Sequence, residues 1–484
     1  MNEARAIFKN TAALAGARLL DRLGNLALAV FIARELGASG LGIYSTAIAY
    51  FALIAIAGDV GATNLLIREI AKDRSRTNAY LVHAGALATA LGGAIMGLAW
   101  LVLPLLGYSA DLRAGVEVVI LAVIPGTLKT IQEAVFVAHQ RVELVTGVTL
   151  VASLATVAAS FSLLALGHGV ASLLVAFAAI QWGIALVYLG LIDRAIARVR
   201  LEFDRSFARR FIREVKAFAA SSVLAGMFSR PEIVVLSLLA SERQVGLYAA
   251  ALKVVDLWQF IPQTFMTNVF PVLSRSFHLR DGRARDIQDF ALKALLAIGL
   301  PLSAGLALAA DPIVDKLYGS RFDDAALLLR ILAVNVSIYC VHSVLWRVLA
   351  ARGEQGAVLR VQVVTIAPRL AGGSMLIASL GALGAAVATP AALLLHTALL
   401  ALSVRRDGTP VRVVRLVWRA ALAAAVMGLV VALLAQAVDV WALVPVAAVV
   451  YGLVSIAVKA FSARELALVR QALPLPLVRS HSRT

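Results

Sequence analysis

Long apolar runs, separated by short polar segments, follow one another from end to end of the chain. A run of roughly 20 apolar residues crosses the ~30 Å hydrocarbon core of a bilayer as a helix. We count about fourteen such runs by this length criterion, and no segments alternate as the strands of a membrane barrel do. The pattern therefore predicts an all-α integral membrane protein with about fourteen transmembrane helices.

The basic residues of the polar segments predict which side of the membrane each segment faces. Lys and Arg concentrate in every second loop, as in Arg68 to Arg76, Arg194 to Lys216 and the tail from Lys459. Because cytoplasmic loops hold the excess of Lys and Arg, both termini are expected in the cytoplasm. We expect a multi-pass protein of the cytoplasmic (inner) membrane.

An internal repeat relates the two halves. A shift of 204 residues without gaps superposes six identical residues. They are Gly42, Tyr44, Ala47, Leu53, Thr63 and Asn64, which fall on Gly246, Tyr248, Ala251, Leu257, Thr267 and Asn268. The repeat predicts two six-helix lobes related by a pseudo-two-fold axis along the membrane normal, with two extra C-terminal helices.

This repeat divides the chain into four predicted parts. They are an N-terminal lobe (1–193), a basic cytoplasmic amphipathic linker (194–216), a C-terminal lobe (217–404), and helices 13 and 14 with a basic tail (405–484). In the linker, phenylalanines at helical spacing lie opposite arginines, which is typical of a helix at the membrane interface. An ordinary positive-inside loop and specific lipid recognition both remain open for it.

Composition narrows the function classes. Hydrophobic residues make up 61% and charged residues 15%, and the mean hydropathy is +0.88, which excludes an ordinary soluble protein. The net charge is +17, but no nucleic-acid-binding motif is legible, so no nucleic-acid partner is expected. Because Cys340 is the single cysteine, an intramolecular disulfide is excluded. With no Walker A loop, metal-ligand spacing or nucleophile elbow, we expect a transporter without cofactor or metal rather than an enzyme.

Several short motifs resemble the polysaccharide-repeat (O-antigen type) flippases of the multidrug/oligosaccharidyl-lipid/polysaccharide exporter superfamily. The motifs are Leu41-Gly42-Ile43-Tyr44, Asp59-Val60-Gly61, Ile67-Arg68-Glu69-Ile70-Ala71, Val245-Gly246-Leu247-Tyr248, Phe260-Ile261-Pro262, Phe270-Pro271-Val272-Leu273-Ser274-Arg275 and Gly381-Ala382-Leu383-Gly384-Ala385-Ala386-Val387-Ala388-Thr389. The resemblance implies two V-shaped lobes around a central cavity that work by alternating access. It also implies a polyprenyl-diphosphate-linked oligosaccharide as substrate for polysaccharide biosynthesis, with membrane lipids and polysaccharide polymerase machinery as partners.

Charged residues inside the predicted spans are the candidate site. Each costs about 2.5–3.5 kcal/mol to insert, so such groups usually face a bundle interior or a wet cavity. Arg18, Asp21, Arg22 and Asn25 share one face of the first span. Two arginines can fork onto the oxygens of a diphosphate headgroup, and the alternative is an internal salt-bridge patch.

Further candidates come from the second half. Arg230 and Glu232 lie in the seventh span, and Lys253 and Asp256 lie one helical turn apart in the eighth. We expect these groups to approach the same cavity and to bind substrate there. Asp59 and Glu133 are candidate coupling carboxylates, with structural pairing as the alternative.

The main functional hypothesis is a flippase for lipid-linked oligosaccharide. Two other transporters remain open, a flippase for a lipid-linked peptidoglycan precursor and a cation-coupled multidrug exporter of the same superfamily. From another class, an integral membrane glycosyltransferase, polymerase or ligase remains open. The excess of intramembrane arginine disfavours a cationic drug, and the short outer segments disfavour the enzymes.

Overall fold

The computed structural model describes residues 2–59, 61–227, 231–279, 282–406, 413–434 and 440–458. Side chains are described in these ranges except at residues 2–15, 17, 18, 56–59, 217–227, 406, 413–417, 440 and 441. Within the described ranges the chain is helical with short turns and contains no strand, which confirms the predicted all-α class.

The helices are numbered α1 to α20 in chain order. In the first half they are α1 (Asn2–Asp59), α2 (Ala62–Lys72), α3 (Thr77–Val102), α4 (Ala110–Ile120), α5 (Val123–Ala138), α6 (Val142–Ala165), α7 (Val170–Ala195), α8 (Arg205–Met227), α9 (Pro231–Leu239) and α10 (Glu242–Leu257). In the second half they are α11 (Phe260–Leu279), α12 (Ala284–Leu308), α13 (Ala310–Tyr318), α14 (Asp324–Leu332), α15 (Val334–Ala351), α16 (Gln355–Ala367), α17 (Gly373–Leu380), α18 (Ala382–Arg406), α19 (Val413–Leu434) and α20 (Val440–Ala457). Single 3₁₀ turns cover Arg74–Arg76, Leu103–Leu106 and Ser320–Phe322, and a π-helical turn covers Pro368–Gly372.

Ten segments of the described chain are long and apolar enough to cross a membrane. Two shorter apolar helices, Trp418–Leu434 and Ala442–Ala457, follow them. The first of the ten, Leu19–Ala55, has 37 residues, far more than the ~20 that one crossing requires. A multi-pass membrane protein is thereby confirmed, while the number of fourteen crossings stays a prediction.

The chain packs as two units, each assembled from three chain segments. Unit 1 comprises Met1–Ile261, Val314–Leu332 and Val358–His396. Unit 2 comprises Pro262–Ile313, Ala333–Ala357 and Thr397–Thr484. The predicted boundaries of the two lobes, the linker and the C-terminal helices stay a prediction.

Two hydrophobic clusters form the core of unit 1. One gathers buried side chains of α2, α3, α5, α7 and α8 around Tyr188, which is fully buried. The other packs Ala47 of α1 against Val116 of α4 and Leu174 of α7. The second cluster holds the second stretch of α1 against α4 and α7.

Gly37 divides α1 into two helical stretches. Its φ of 70° and ψ of −172° lie outside the helical region, and a residue without a Cβ adopts them at little cost. The kink falls where the sequence predicts an outer turn between the first two spans. Glycine therefore turns one long helix into two differently directed segments.

The second stretch of α1 crosses α10 at two glycines. A Cβ on Gly42 would lie 1.9 Å from the carbonyl oxygen of Glu242, and a Cβ on Gly246 would lie 1.8 Å from that of Ala38. The repeat shift of 204 residues carries Gly42 onto Gly246 and Ala38 onto Glu242. The contact is thus reciprocal, as expected when a local two-fold axis passes between repeated helices, and glycine allows this close approach.

The linker prediction concerned the apolar stripe that begins at Phe203. The helix forms as α8, but Phe211 and Val215 are only 2% and 3% exposed, and they pack into the core cluster of unit 1 with Phe207. Phe207 and Phe211 also contact the ring of Tyr80, with centroids 5.0 and 6.1 Å away. This part of the stripe therefore packs against protein.

Unit 2 is built around α12. This helix packs against α15 and α19, and α19 packs against α20. Gly299 allows close approach to α15, because a Cβ there would lie 2.8 Å from the sulfur of Cys340. The hydroxyls of Ser303 and Ser337, 2.8 Å apart, add a polar link between α12 and α15.

Candidate functional site: a polar cavity in unit 1

A cavity of about 370 Å³ lies between α1, α9 and α10 inside unit 1. Both stretches of α1 contribute to its wall, and most of the lining is Leu, Ile and Ala. The polar and charged lining residues are Asp21, Arg22, Asn25, Tyr44, Ser45, Lys253 and Asp256. Five of the ten predicted site residues therefore meet at one place.

Asp21 is held by neutral donors. The Ser153 hydroxyl of α6 donates to its Oδ1 at 2.9 Å, and the Asn25 amide donates to the same atom at 3.3 Å and to the Asp21 carbonyl at 2.8 Å. These bonds tie the first stretch of α1 to α6. They also fix the carboxylate without neutralising its charge.

Arg22 has a different environment. Among the residues whose side chains are described, no hydrogen bond or ion pair to its guanidinium is found. A guanidinium offers five donors and keeps its charge at any physiological pH. This side chain therefore gives the cavity wall a cation able to bind an anionic group.

Lys253 and Asp256 enter the cavity wall from α10. Asp256 is 5% exposed, and its Oδ1 accepts a hydrogen bond of 3.0 Å from the Gln259 amide. Lys253 precedes it by three residues, a spacing that places both on one face of the helix. The predicted pair of charges is thus present in the cavity wall, with its carboxylate deeply buried.

The lining positions of the two second helices correspond under the repeat. Ser45, Ile48, Ala49 and Ala52 of α1 fall on Ala249, Leu252, Lys253 and Asp256 of α10 when shifted by 204 residues, and all eight line the cavity. The backbone framework of this wall is therefore repeated, although its charges are not.

The other predicted site residues do not join this group in the described structure. Glu232, on α9, accepts two bonds from Arg369, at 2.8 Å from Nε and 2.7 Å from Nη2. Glu133 lies 3.8 Å from Lys129 and accepts a bond of 3.3 Å from the Tyr188 hydroxyl. Neither carboxylate lines the cavity.

Three predicted residues lie wholly or partly outside the described part of the chain. The side chains of Arg18 and Asp59 are not among the described ones, and neither is any part of Arg230. Among the described residues, no cluster of three or more His, Cys, Asp or Glu is arranged to hold a metal ion.

Sequence reasoning missed Arg369 and the second stretch of α1. Arg369 follows Pro368 within a predicted span. A charged residue inside a span is a candidate functional residue, and this rule could have identified it. Tyr44 and Ser45 carry no charge and gave no such signal. Only the repeat, which relates Ser45 to Ala249, connects them with the cavity.

Polar contacts tie α1 to α13 and α10 to α14. Arg34 donates to the carbonyls of Lys316 and Leu317 at 2.7 and 2.8 Å. Arg243 at the start of α10 forms a 2.9 Å ion pair with Asp324. These contacts anchor α1 and α10 to neighbouring helices, while the glycine crossing brings α1 and α10 themselves together.

Comparison with known families identifies two matching family models. A polysaccharide biosynthesis protein family matches residues 31–327, and a family described as lipid II flippase MurJ matches residues 259–452. The probable low-salt glycan biosynthesis flippase Agl15 of Haloferax volcanii is 24% identical over 380 residues, which cover 76% of this chain and 77% of that protein.

Solved structures show the same fold. A lipid II flippase MurJ in an inward closed conformation matches with a TM-score of 0.78 at 16% identity, over 94% of this chain and 100% of that one. An inward-facing multidrug resistance transporter of the MATE family matches with a TM-score of 0.67 at 15% identity, over 80% and 94% of the two chains. The family models and the Agl15 match, together with this fold, confirm the predicted resemblance and the prediction of a transporter rather than an enzyme.

Proposed function

The chain belongs to the polysaccharide biosynthesis protein family, and we propose that it moves a polyprenyl-diphosphate-linked oligosaccharide across the cytoplasmic membrane by alternating access. The observation that carries this proposal is the convergence of Arg22 and Lys253, from different helices, on one cavity in unit 1. Two cations suit a diphosphate, because each phosphate offers oxygens that accept charge-assisted hydrogen bonds. A neutral sugar alone would gain little from them.

The carboxylates of the cavity complete the proposal. Asp21 and Asp256 sit beside Arg22 and Lys253, so the wall contains both signs of charge. Charges of opposite sign attract and so stabilise one another. We place Arg18 and Arg230 in the same cationic chamber, and Asp59 and Glu133 as coupling carboxylates, as the sequence predicts.

Orientation and partners belong to the same proposal. We place both termini in the cytoplasm and propose that the headgroup is loaded from the inner leaflet. The polymerase machinery that receives the flipped saccharide is the expected protein partner. The Agl15 relative is named for glycan biosynthesis, which supports a saccharide as the cargo.

A lipid-linked peptidoglycan precursor is the second candidate substrate. The match of residues 259–452 to the lipid II flippase model favours it. Both candidates carry a diphosphate, so the cavity charges suit either one. The lipid-linked intermediate that accumulates on the inner leaflet when this protein is depleted distinguishes them.

The test replaces both arginines of the first span. Arg18→Ala with Arg22→Ala is expected to leave membrane insertion intact and to abolish saccharide export, measured as surface saccharide at equal protein level. Arg113→Ala is the matched control, because this exposed arginine pairs with Glu117 of α4 outside the cavity. Normal export from the double variant would overturn the proposal.

A further inference from the structure

Three aromatic side chains form a stripe along one face of α15 in unit 2. Tyr339 and His342 stack with centroids 5.8 Å apart, and His342 and Trp346 follow at 5.9 Å. Spacings of three and four residues keep all three rings on one face of the helix. We call Tyr339, His342 and Trp346 the aromatic ladder.

Helix α11 borders the ladder with polar and aromatic groups. The Gln263 amide donates to the Tyr339 hydroxyl at 3.0 Å. The guanidinium of Arg347, the residue that follows Trp346, lies 5.3 Å from the centre of the Phe270 ring. The two helices thus present flat rings and hydrogen-bonding atoms side by side.

The ladder points away from the core of unit 2. Tyr339, His342 and Trp346 are half-buried, whereas Cys340, Val344 and Val348 on the opposite face of α15 are buried. Packing within unit 2 therefore leaves part of each ladder ring exposed.

An aromatic belt at the membrane interface does not account for the whole aromatic ladder, because part of the ladder lies too deep in the membrane. Tyr339 lies near the middle of the apolar span Asp324–Ala351 and twelve residues before its end, which is about 18 Å along the helix axis. Belt residues sit at the membrane surface, about 15 Å from the bilayer centre. A hydroxyl at such depth is costly against lipid, so this face is expected to meet water or a ligand.

We infer that the aromatic ladder is a binding subsite for the sugar rings of the transported lipid, an inference that rests on the proposed function. A pyranose ring has faces of C–H groups that stack on aromatic rings and a rim of hydroxyls that need hydrogen-bond partners. The ladder supplies the rings, and Tyr339, His342 and Gln263 supply the partners. A polyprenyl tail carries no hydrogen-bonding atoms, so it does not match the polar groups of this face.

Two probes separate the sugar from the rest of the lipid. One is the diphosphate-linked saccharide lipid purified from cells depleted of this protein, and the other is bare undecaprenyl diphosphate. Affinities are measured on the full-length protein in nanodiscs, for the wild type and for Tyr339→Ala, His342→Ala and Trp346→Ala. Each variant is expected to weaken the saccharide lipid about tenfold, as loss of an aromatic contact does, and to leave bare undecaprenyl diphosphate unchanged.

Two control variants test whether the effect is specific to the ladder rings, and melting temperatures test whether the variants are folded. Trp346→Phe keeps a ring and is expected to retain most of the sugar-dependent affinity. Trp182→Ala removes an exposed tryptophan of α7 in unit 1 and is expected to change neither affinity. Equal melting temperatures across the set show that the variants are folded.

The other outcomes are decisive. Ladder variants that weaken both probes equally, or that keep the full preference for the saccharide lipid, overturn the subsite. Equal wild-type affinity for both probes overturns it as well. A wild type that binds neither probe defeats the proposed function itself, which is a distinguishable failure.

Discussion

The second helix of each half builds one wall of the cavity, and the two walls differ in chemistry but not in framework. Ser45, Ile48, Ala49 and Ala52 occupy the positions that Ala249, Leu252, Lys253 and Asp256 occupy on α10. Above them, the paired glycines Gly42 and Gly246 make reciprocal backbone contacts. The repeat therefore preserves the packing of the two helices but not the side chains that they contribute to the cavity wall.

The two halves also place their charges on different helical stretches. In the second half the cation and the carboxylate, Lys253 and Asp256, lie on the repeat-related helix α10 itself. The first half instead supplies its cation and carboxylate from Arg22 and Asp21, on the other stretch of α1. An anionic headgroup can then be held between cations that lie on different helices.

The largest expected effect comes from breaking the shared glycine crossing. In Gly42→Ala or Gly246→Ala, the new Cβ would overlap a backbone carbonyl, which cannot rotate aside as a side chain can. Overpacking of this kind costs about 3 kcal/mol or more, so we expect a large loss of folded protein. Thermal unfolding in detergent measures the effect.

The crossing also predicts that the two substitutions resemble each other. Because each glycine meets the carbonyl of the repeat-related residue, their losses of stability should be similar. Gly147→Ala is the control, since no atom lies within 4 Å of a Cβ at this helical position. A wild-type melting temperature for either crossing variant would show that the helices do not meet at these glycines.

An intermediate effect is expected from moving the cavity lysine to its repeat-related position. Lys253→Ala should weaken binding of undecaprenyl diphosphate about tenfold or more, because a hydrogen bond to a charged group contributes roughly 1.5–3 kcal/mol. The double variant Ala49→Lys with Lys253→Ala should recover most of that affinity, since position 49 lines the same cavity.

The outcome of the exchange sharpens the comparison. Recovery would show that the wall positions are interchangeable and that only the presence of a cation matters. If Ala49→Lys fails to restore binding while the protein stays folded, the position of Lys253 beside Asp256 is itself required. If Lys253→Ala binds normally, the cation has no part in holding the diphosphate.

Helical periodicity explains which part of the site the sequence could predict. Asp21, Arg22 and Asn25 are close in sequence and share a face of one helix, as do Lys253 and Asp256, so spacing alone places each group together. Their meeting in one cavity followed from the repeat, which relates the helices of the two halves. The helical class followed from the apolar runs.

Tertiary packing explains what the sequence could not predict. Glu232 pairs with Arg369, which is 137 residues away, and no local pattern encodes a contact over that separation. The stripe of α8 gives a similar lesson. Its helical spacing predicts an apolar face, but only the packed structure shows that Phe211 is buried in the core of unit 1.

The smallest expected effect concerns the end of α2, where the charged residues have no charged counterparts in the second half. Glu69 accepts a 2.9 Å bond from Lys72 and a 2.7 Å bond from Arg68, whereas the repeat-related positions hold Leu273, Ser276 and Val272. The Lys72 ammonium, followed by the Arg68 guanidinium, holds the pKa of the Glu69 carboxyl below its ordinary value of 4.5. The first half therefore carries a pH-dependent contact that the second half lacks.

The sign of this dependence follows from the lowered pKa. A carboxyl that is more acidic in the folded state stabilises the protein above its unfolded pKa, and this contribution is lost as the pH falls through the folded value. Wild type should therefore melt up to about 1 °C above Glu69→Gln at pH 7, as expected for an exposed ion pair in a chain of this length, and the gap should narrow as the pH falls below about 4.5. In a Lys72→Gln background the same substitution should have a smaller effect, because the main partner is gone. A gap that does not narrow in acid would mean that Glu69 contributes by packing, and the end of α2 would then resemble its apolar counterpart in the second half more closely than its charges indicate.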